Sequence, residues 1–296
     1  MIRKVVGVTA LAALLSFTNQ ASAGSIFLSG HDILLHSGQN SYDNTILDYL
    51  RGDGTASEIA AGSYDILLVR GFSGFVGTVG TNTLEGFGTI TTREIEDFSG
   101  AGGAAALTAA LAGIEVLVIP DHVSCGGCDL TDADADILEA RSGEIASFFN
   151  AGGDLFVGSG ASDTTFYNFL PPGAVASGLP IGGSSGFECT AAGVAIGINC
   201  AAFGVSSING FPTHNRFVGF DPDFTVFEIH PRGAGTADDE IISIGIRDAR
   251  ILDDIIVVDE DDGTTDDDGT TVPEPATLAM LALGVVGIGA ARRRQR

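Results

Sequence analysis

Apolar runs alternate along the chain with segments of helical spacing. Ser25-Ile26-Phe27-Leu28-Ser29, Tyr64 to Arg70, Glu115 to Pro120 and Asp154 to Gly158 are short, nearly continuous apolar stretches, as strands buried on both faces require. Between them, Asn44 to Arg51 carries Ile46, Leu47 and Leu50 at helical spacing and ends at Gly52. Ala104 to Ala112 reads as a small-residue helix. Asp134 to Asn150 reads as one long helix with Ile137, Leu138, Ile145, Phe148 and Phe149 on a shared face. Ala191 to Ile198 suits a short helix, and Thr225 to His230 and Glu240 to Arg247 alternate as late strands. Gly71 to Gly103 has no clean period and reads as a surface hairpin or lid. Strands alternating with helices predict an α/β domain over residues 24–258: a three-layer sandwich with a mostly parallel, flavodoxin-like sheet.

The two ends have a different character. Residues 1–23 combine Arg3 and Lys4, an apolar stretch from Val5 to Phe17, and Ala21-Ser22-Ala23, the pattern of a secretory signal peptide. At the other end, Val272-Pro273-Glu274-Pro275 precedes an apolar stretch, 276–291, and then Arg292, Arg293 and Arg294. Sixteen helical residues reach about 24 Å, a little less than a hydrocarbon core of about 30 Å. The arginines are expected to stay on the cytoplasmic side. Residues 259–272 hold seven carboxylates and read as an extended acidic linker.

Charge narrows the function. The net charge is −24, and between Gly24 and Val272 there are eight Arg, no Lys and 37 carboxylates. Such a chain repels nucleic acid and anionic lipid. It suits divalent cations, or a basic or carbohydrate partner.

The Val272-Pro273-Glu274-Pro275 element, its short apolar segment and the arginine cluster resemble a PEP-CTERM sorting signal, over residues 273–296. That resemblance implies export through signal peptidase and the Sec machinery, transient residence in the inner membrane, and cleavage by an exosortase. It further implies a destination at the cell surface or in the exopolysaccharide matrix of a Gram-negative bacterium. The strand EVLVIPD, the segment FFNAGGDLFVGSG, Thr213-His214-Asn215 and Phe227-Glu228-Ile229-His230-Pro231 resemble the class I glutamine amidotransferase-like group. That likeness implies a flavodoxin-like core. The family's nucleophilic Cys is replaced by the turn Gly158-Ser159-Gly160, and Arg232 stands where the orienting carboxylate is expected.

In a doubly wound sheet, ligands gather at the carboxyl ends of the strands. Candidate binding residues are therefore His31, Asp32, Asp121, His122, His214 and Asn215. Candidate catalytic residues are Ser159 as nucleophile and His230 as base. No cofactor motif is present; a divalent metal held by His31, Asp32, His36, Asp121, His122 or His214 is the alternative kept open. Asp132-x-Asp134-x-Asp136 invites calcium, but is more simply a helix N-terminus. The four cysteines suggest two disulfides in an exported chain, Cys125–Cys128 and Cys189–Cys200, with zinc as the rival. Binding is preferred to catalysis; a Ser- or metal-dependent hydrolase of an amide, ester or glycan and a structural matrix component remain the alternatives.

Overall fold

The computed structural model describes residues 24–31, 40–52, 64–71, 84, 88–122, 130–161, 163–174, 176–183, 185–201, 208–209, 213–231, 239–252 and 255–258. The signal peptide, Asp32, His36, Cys125, Cys128, Arg232, the acidic linker and the sorting tail with its 276–291 segment lie outside the described residues. Among the described residues, no helix is long and apolar enough to cross a membrane.

Five helices flank one eleven-stranded sheet among these residues. The strands are β1 (Gly24–Ser29), β2 (Ile66–Arg70), β3 (Ile90–Glu94), β4 (Val116–Ile119), β5 (Asp154–Val157), β6 (Ala176–Pro180), β7 (Glu188–Cys189), β8 (Asn215–Phe220), β9 (Thr225–His230), β10 (Glu240–Leu252) and β11 (Ile255–Val258). The helices are α1 (Asn40–Arg51), α2 (Gly103–Leu111), α3 (Asp132–Glu139), α4 (Ser142–Asn150) and α5 (Ala191–Ala195). The path β3-β2-β4-β5-β1 is parallel throughout. From β10 onward every pairing is antiparallel.

Period-two alternation explains the layers. Ile66, Leu68, Val116, Val118, Phe27 and Phe156 face one side, with Tyr42, Ile46, Leu47 and Leu50 of α1. Leu67, Val69, Leu117, Ile119, Leu155 and Val157 face the other, against Leu107 of α2, Leu138 of α3, and Ile145 and Phe149 of α4. Phe27 stacks on Phe227 at 5.4 Å and meets Tyr49 and Phe156 edge-on, which ties β1, β5, β9 and α1 into one aromatic cluster.

Three expectations need correction. The sheet is mixed rather than mostly parallel, because the chain beyond β5 returns through antiparallel strands: β9 and β10 lie where late strands are expected, and β6 and β8 arise from sequence without a strand pattern. The region 71–103 contributes a parallel edge strand, β3, whose polar ITTRE sequence reflects its place at the sheet margin. The long helix over 134–150 is two helices. They are broken at Arg141, whose guanidinium donates to the carbonyls of Phe98 (2.8 Å) and Gly100 (2.7 Å).

Cys189 and Cys200 form a disulfide, with Cα atoms 5.6 Å apart and a sequence separation of 11. It clips β7 to the segment following α5. A loop this short constrains the unfolded chain by about 3 kcal/mol in the chain-entropy account. Replacing both cysteines with Ser is expected to lower the urea midpoint by the equivalent of roughly 2–3 kcal/mol; an unchanged midpoint would show that the clip contributes nothing.

Candidate functional site

The carboxyl end of the parallel half carries two separate polar constellations. They differ in burial, and that difference decides what each can do.

The first lies at the end of β1. Gly30 donates its N–H to Ile242 O (2.8 Å), and its carbonyl accepts from His214 N and Asn215 N. A Cβ at Gly30 would fall 2.1 Å from Asn215 O, so only glycine lets the chains approach this closely. The start of β8 therefore covers the end of β1, and His31 is fully buried. His31 Nδ1 lies 2.7 Å from Thr213 Oγ1, and Nε2 lies 3.2 Å from Glu228 Oε1. Tyr42 donates to Glu228 Oε2 at 2.6 Å, and Ser29 Oγ lies 3.3 Å from the Tyr42 hydroxyl. A carboxylate only accepts, which assigns a hydrogen to Nε2. Burial, then the Glu228 carboxylate, pushes the Tyr42 phenol well above its usual range. This closed chain of satisfied groups is built for rigidity. Asn215 is buried beside Gly178, and its side-chain amide has no hydrogen bond.

The second constellation lies at the ends of β4 and β5. After β5 the chain turns through Gly158, Ser159, Gly160 and Ala161, with Ala161 in the left-handed region at φ 48°. A Cβ on Gly158 would meet Asp121 Oδ1 at 2.4 Å. The turn's N–H groups are all engaged: Ser159 N donates to Asp121 Oδ1 (2.5 Å), Gly160 N to Tyr167 Oη (2.9 Å) and Ala161 N to Ser159 Oγ (3.1 Å). Ser159 itself is fully buried. His230 sits at the end of β9, part-exposed, 3.1 Å from Glu240 Oε2 and in ring contact with Phe187. β1 and β10 lie between β5 and β9, three strand spacings or roughly 14 Å. The structure does not bring Ser159 and His230 together.

It does bring together His122, Asp132 and Asp163. His122 is placed by its N–H on Ser159 O (2.7 Å), by the bridge to Leu130, and by packing of its ring on Phe166 at 5.5 Å. Asp132 opens α3. Thr131 caps that helix, accepting from Asp134 N while the Asp134 carboxylate accepts from Thr131 N (2.7 Å) and Oγ1 (2.8 Å), a reciprocal capping box. Asp163 is oriented by Thr165, whose N–H and hydroxyl both donate to Oδ1, leaving Oδ2 toward His122. His122 Nε2 lies 2.9 Å from Asp132 Oδ1 and 3.9 Å from Asp163 Oδ2. Asp136, one turn along α3, and Thr165 complete a cleft of about 410 Å³. The charge pattern of α3 and His122 were legible in the sequence; Asp163 was not, because nothing local distinguishes it from other loop carboxylates.

No match was found among curated proteins or among solved structures, so the amidotransferase-like likeness gains no relative. Residues 271–294 match the family model described as the PEP-CTERM protein-sorting motif. That motif implies an exported protein, anchored transiently at the membrane and processed by exosortase.

Proposed function

We propose that exosortase delivers this protein to the cell surface or the exopolysaccharide matrix, and that its α/β domain binds its ligand there without turning it over. Matrix exopolysaccharide is the ligand class put forward, bound at the cleft between the ends of β4 and β5. The observation that supports binding over Ser-dependent hydrolysis is the turn at Ser159. A nucleophile needs an accessible oxygen, an adjacent base and free N–H donors for the oxyanion. Here the oxygen is buried and accepting, and the neighbouring N–H groups are engaged by the protein itself. The competing hydrolase reading keeps only its metal-dependent form, which the His122–Asp132–Asp163 grouping favours.

The test is fractionation. In a strain with an active exosortase, mature protein is expected in the surface and matrix fractions, cut near the Pro273-Glu274-Pro275 element and without the apolar segment and arginine cluster that follow it. In an exosortase-deletion strain it is expected in the membrane fraction with its tail intact. Identical distribution and mass in both strains would overturn the sorting half of the proposal. Turnover of generic ester, amide or glycan substrates that falls on Ser159→Ala would overturn the binding half.

A further inference from the structure

The same cleft gathers one imidazole and three carboxylates, a donor set that saccharide binding alone does not require. We propose that His122, Asp132 and Asp163 hold a first-row divalent metal ion, of the zinc or manganese class, through which the cleft takes its ligand. The proposal rests on the cleft being the ligand site.

Three observations converge. One ligand atom from each of the three residues lies within 4.8 Å of the others. A tetrahedral ion about 2.1 Å from each ligand would set them roughly 3.4 Å apart, and the observed 2.9 and 3.9 Å contacts from His122 Nε2 lie on either side of that spacing.

The second observation concerns the imidazole itself. The His122 side chain is only 4% exposed, yet neither ring nitrogen makes a hydrogen bond. Nε2 approaches Asp132 without hydrogen-bond geometry. A buried imidazole is ordinarily satisfied. One whose nitrogen faces two carboxylates is arranged as a ligand.

The third is the orientation of Asp163. Thr165 holds Oδ1, so the other oxygen is presented in a fixed direction, as outer-shell partners do for metal ligands.

The donor set selects the ion. Calcium and magnesium prefer all-oxygen shells, whereas imidazole with carboxylates suits zinc, manganese, iron or cobalt. The positive end of α3 opposes a cation at Asp132. Asp132, Asp136 and Asp163 around one cleft outweigh it. Three protein ligands leave a coordination position open toward the cleft, where a hydroxyl or carboxylate of a ligand could bind.

The experiment uses the full purified chain, stripped with EDTA and titrated with Co²⁺ alone, then with Zn²⁺ in competition. One equivalent of Co²⁺ is expected to give visible d–d absorption that Zn²⁺ abolishes. Asp132→Asn, on a side chain 93% exposed and therefore safe for folding, is expected to weaken binding roughly 10- to 100-fold, and Asp163→Asn likewise. Asp223→Asn, an exposed carboxylate elsewhere, is expected to leave it unchanged. His122→Ala is expected to weaken binding and alter the d–d absorption while circular dichroism reports whether the fold is kept. Absence of saturable one-to-one binding would overturn the proposal. So would binding indifferent to both Asp132→Asn and Asp163→Asn, which would assign the ion to other acidic residues, or binding of Ca²⁺ without Co²⁺ or Zn²⁺. None of these outcomes changes the fractionation result, so failure of the metal site and failure of surface delivery are separately visible.

Discussion

Replacing Glu228 with Ala is expected to destabilise the protein by roughly 3–5 kcal/mol, the range seen when one partner of a buried charged network is removed. The carboxylate is fully buried and accepts from Tyr42 at 2.6 Å and from His31 at 3.2 Å. Without it, a phenol and an imidazole are left dry and unsatisfied at the junction of α1, β1 and β9, and a void takes the place of the side chain. With total stabilities of about 5–15 kcal/mol for such domains, a loss of this size consumes much of the margin. Glu228→Gln is expected to cost less, roughly 1–3 kcal/mol, because one acceptor remains. Urea unfolding of both variants checks the ordering. Equal, small losses would mean that the network is ornamental.

The second large effect is a pH dependence carried by Asp154. Its carboxyl accepts from Tyr64 (2.5 Å) and from Ser25 N (2.7 Å), both of which favour the charged form. Burial outweighs them, and the pKa is pushed up from 3.8 to about 8. Between those values the folded protein holds a proton that the unfolded chain has released. Stability therefore falls as pH rises through that window, by up to about 1.4 kcal/mol per pH unit, and levels off above pH 8. Asp154→Asn mimics the protonated form and removes this slope. Wild type and variant are expected to be close near pH 4.5, and the variant the more stable by several kcal/mol near pH 8.5. Parallel stability curves across that range would show that Asp154 is charged in the fold.

How much of this was written in the sequence depends on where each segment sits. β2, β4 and β5 are buried on both faces by helices, so their apolar runs announced them. β6 and β8 were silent for physical reasons. ASGLP has the composition of a turn, and β8 places Val218, 48% exposed, on its outer side, which breaks the alternation. His31 and His122 stood out as strand-end residues. Their fates diverged because β8 covers the end of β1, and that covering is a long-range event no local pattern encodes. Asp163 and Glu228 are ordinary carboxylates in a chain with 38 of them. Only tertiary packing gives one to a cleft and the other to the interior.

The thirteen-residue β10 bonds to β1, β8, β9 and β11, so the parallel and antiparallel halves share it as a common spine. Neither half can open without stripping partners from the other. A protease that nicks a peripheral loop would thus release no free lobe, and the cut pieces would stay clasped. For a protein released from its membrane tether, such all-or-none resistance to trimming governs how long it lasts.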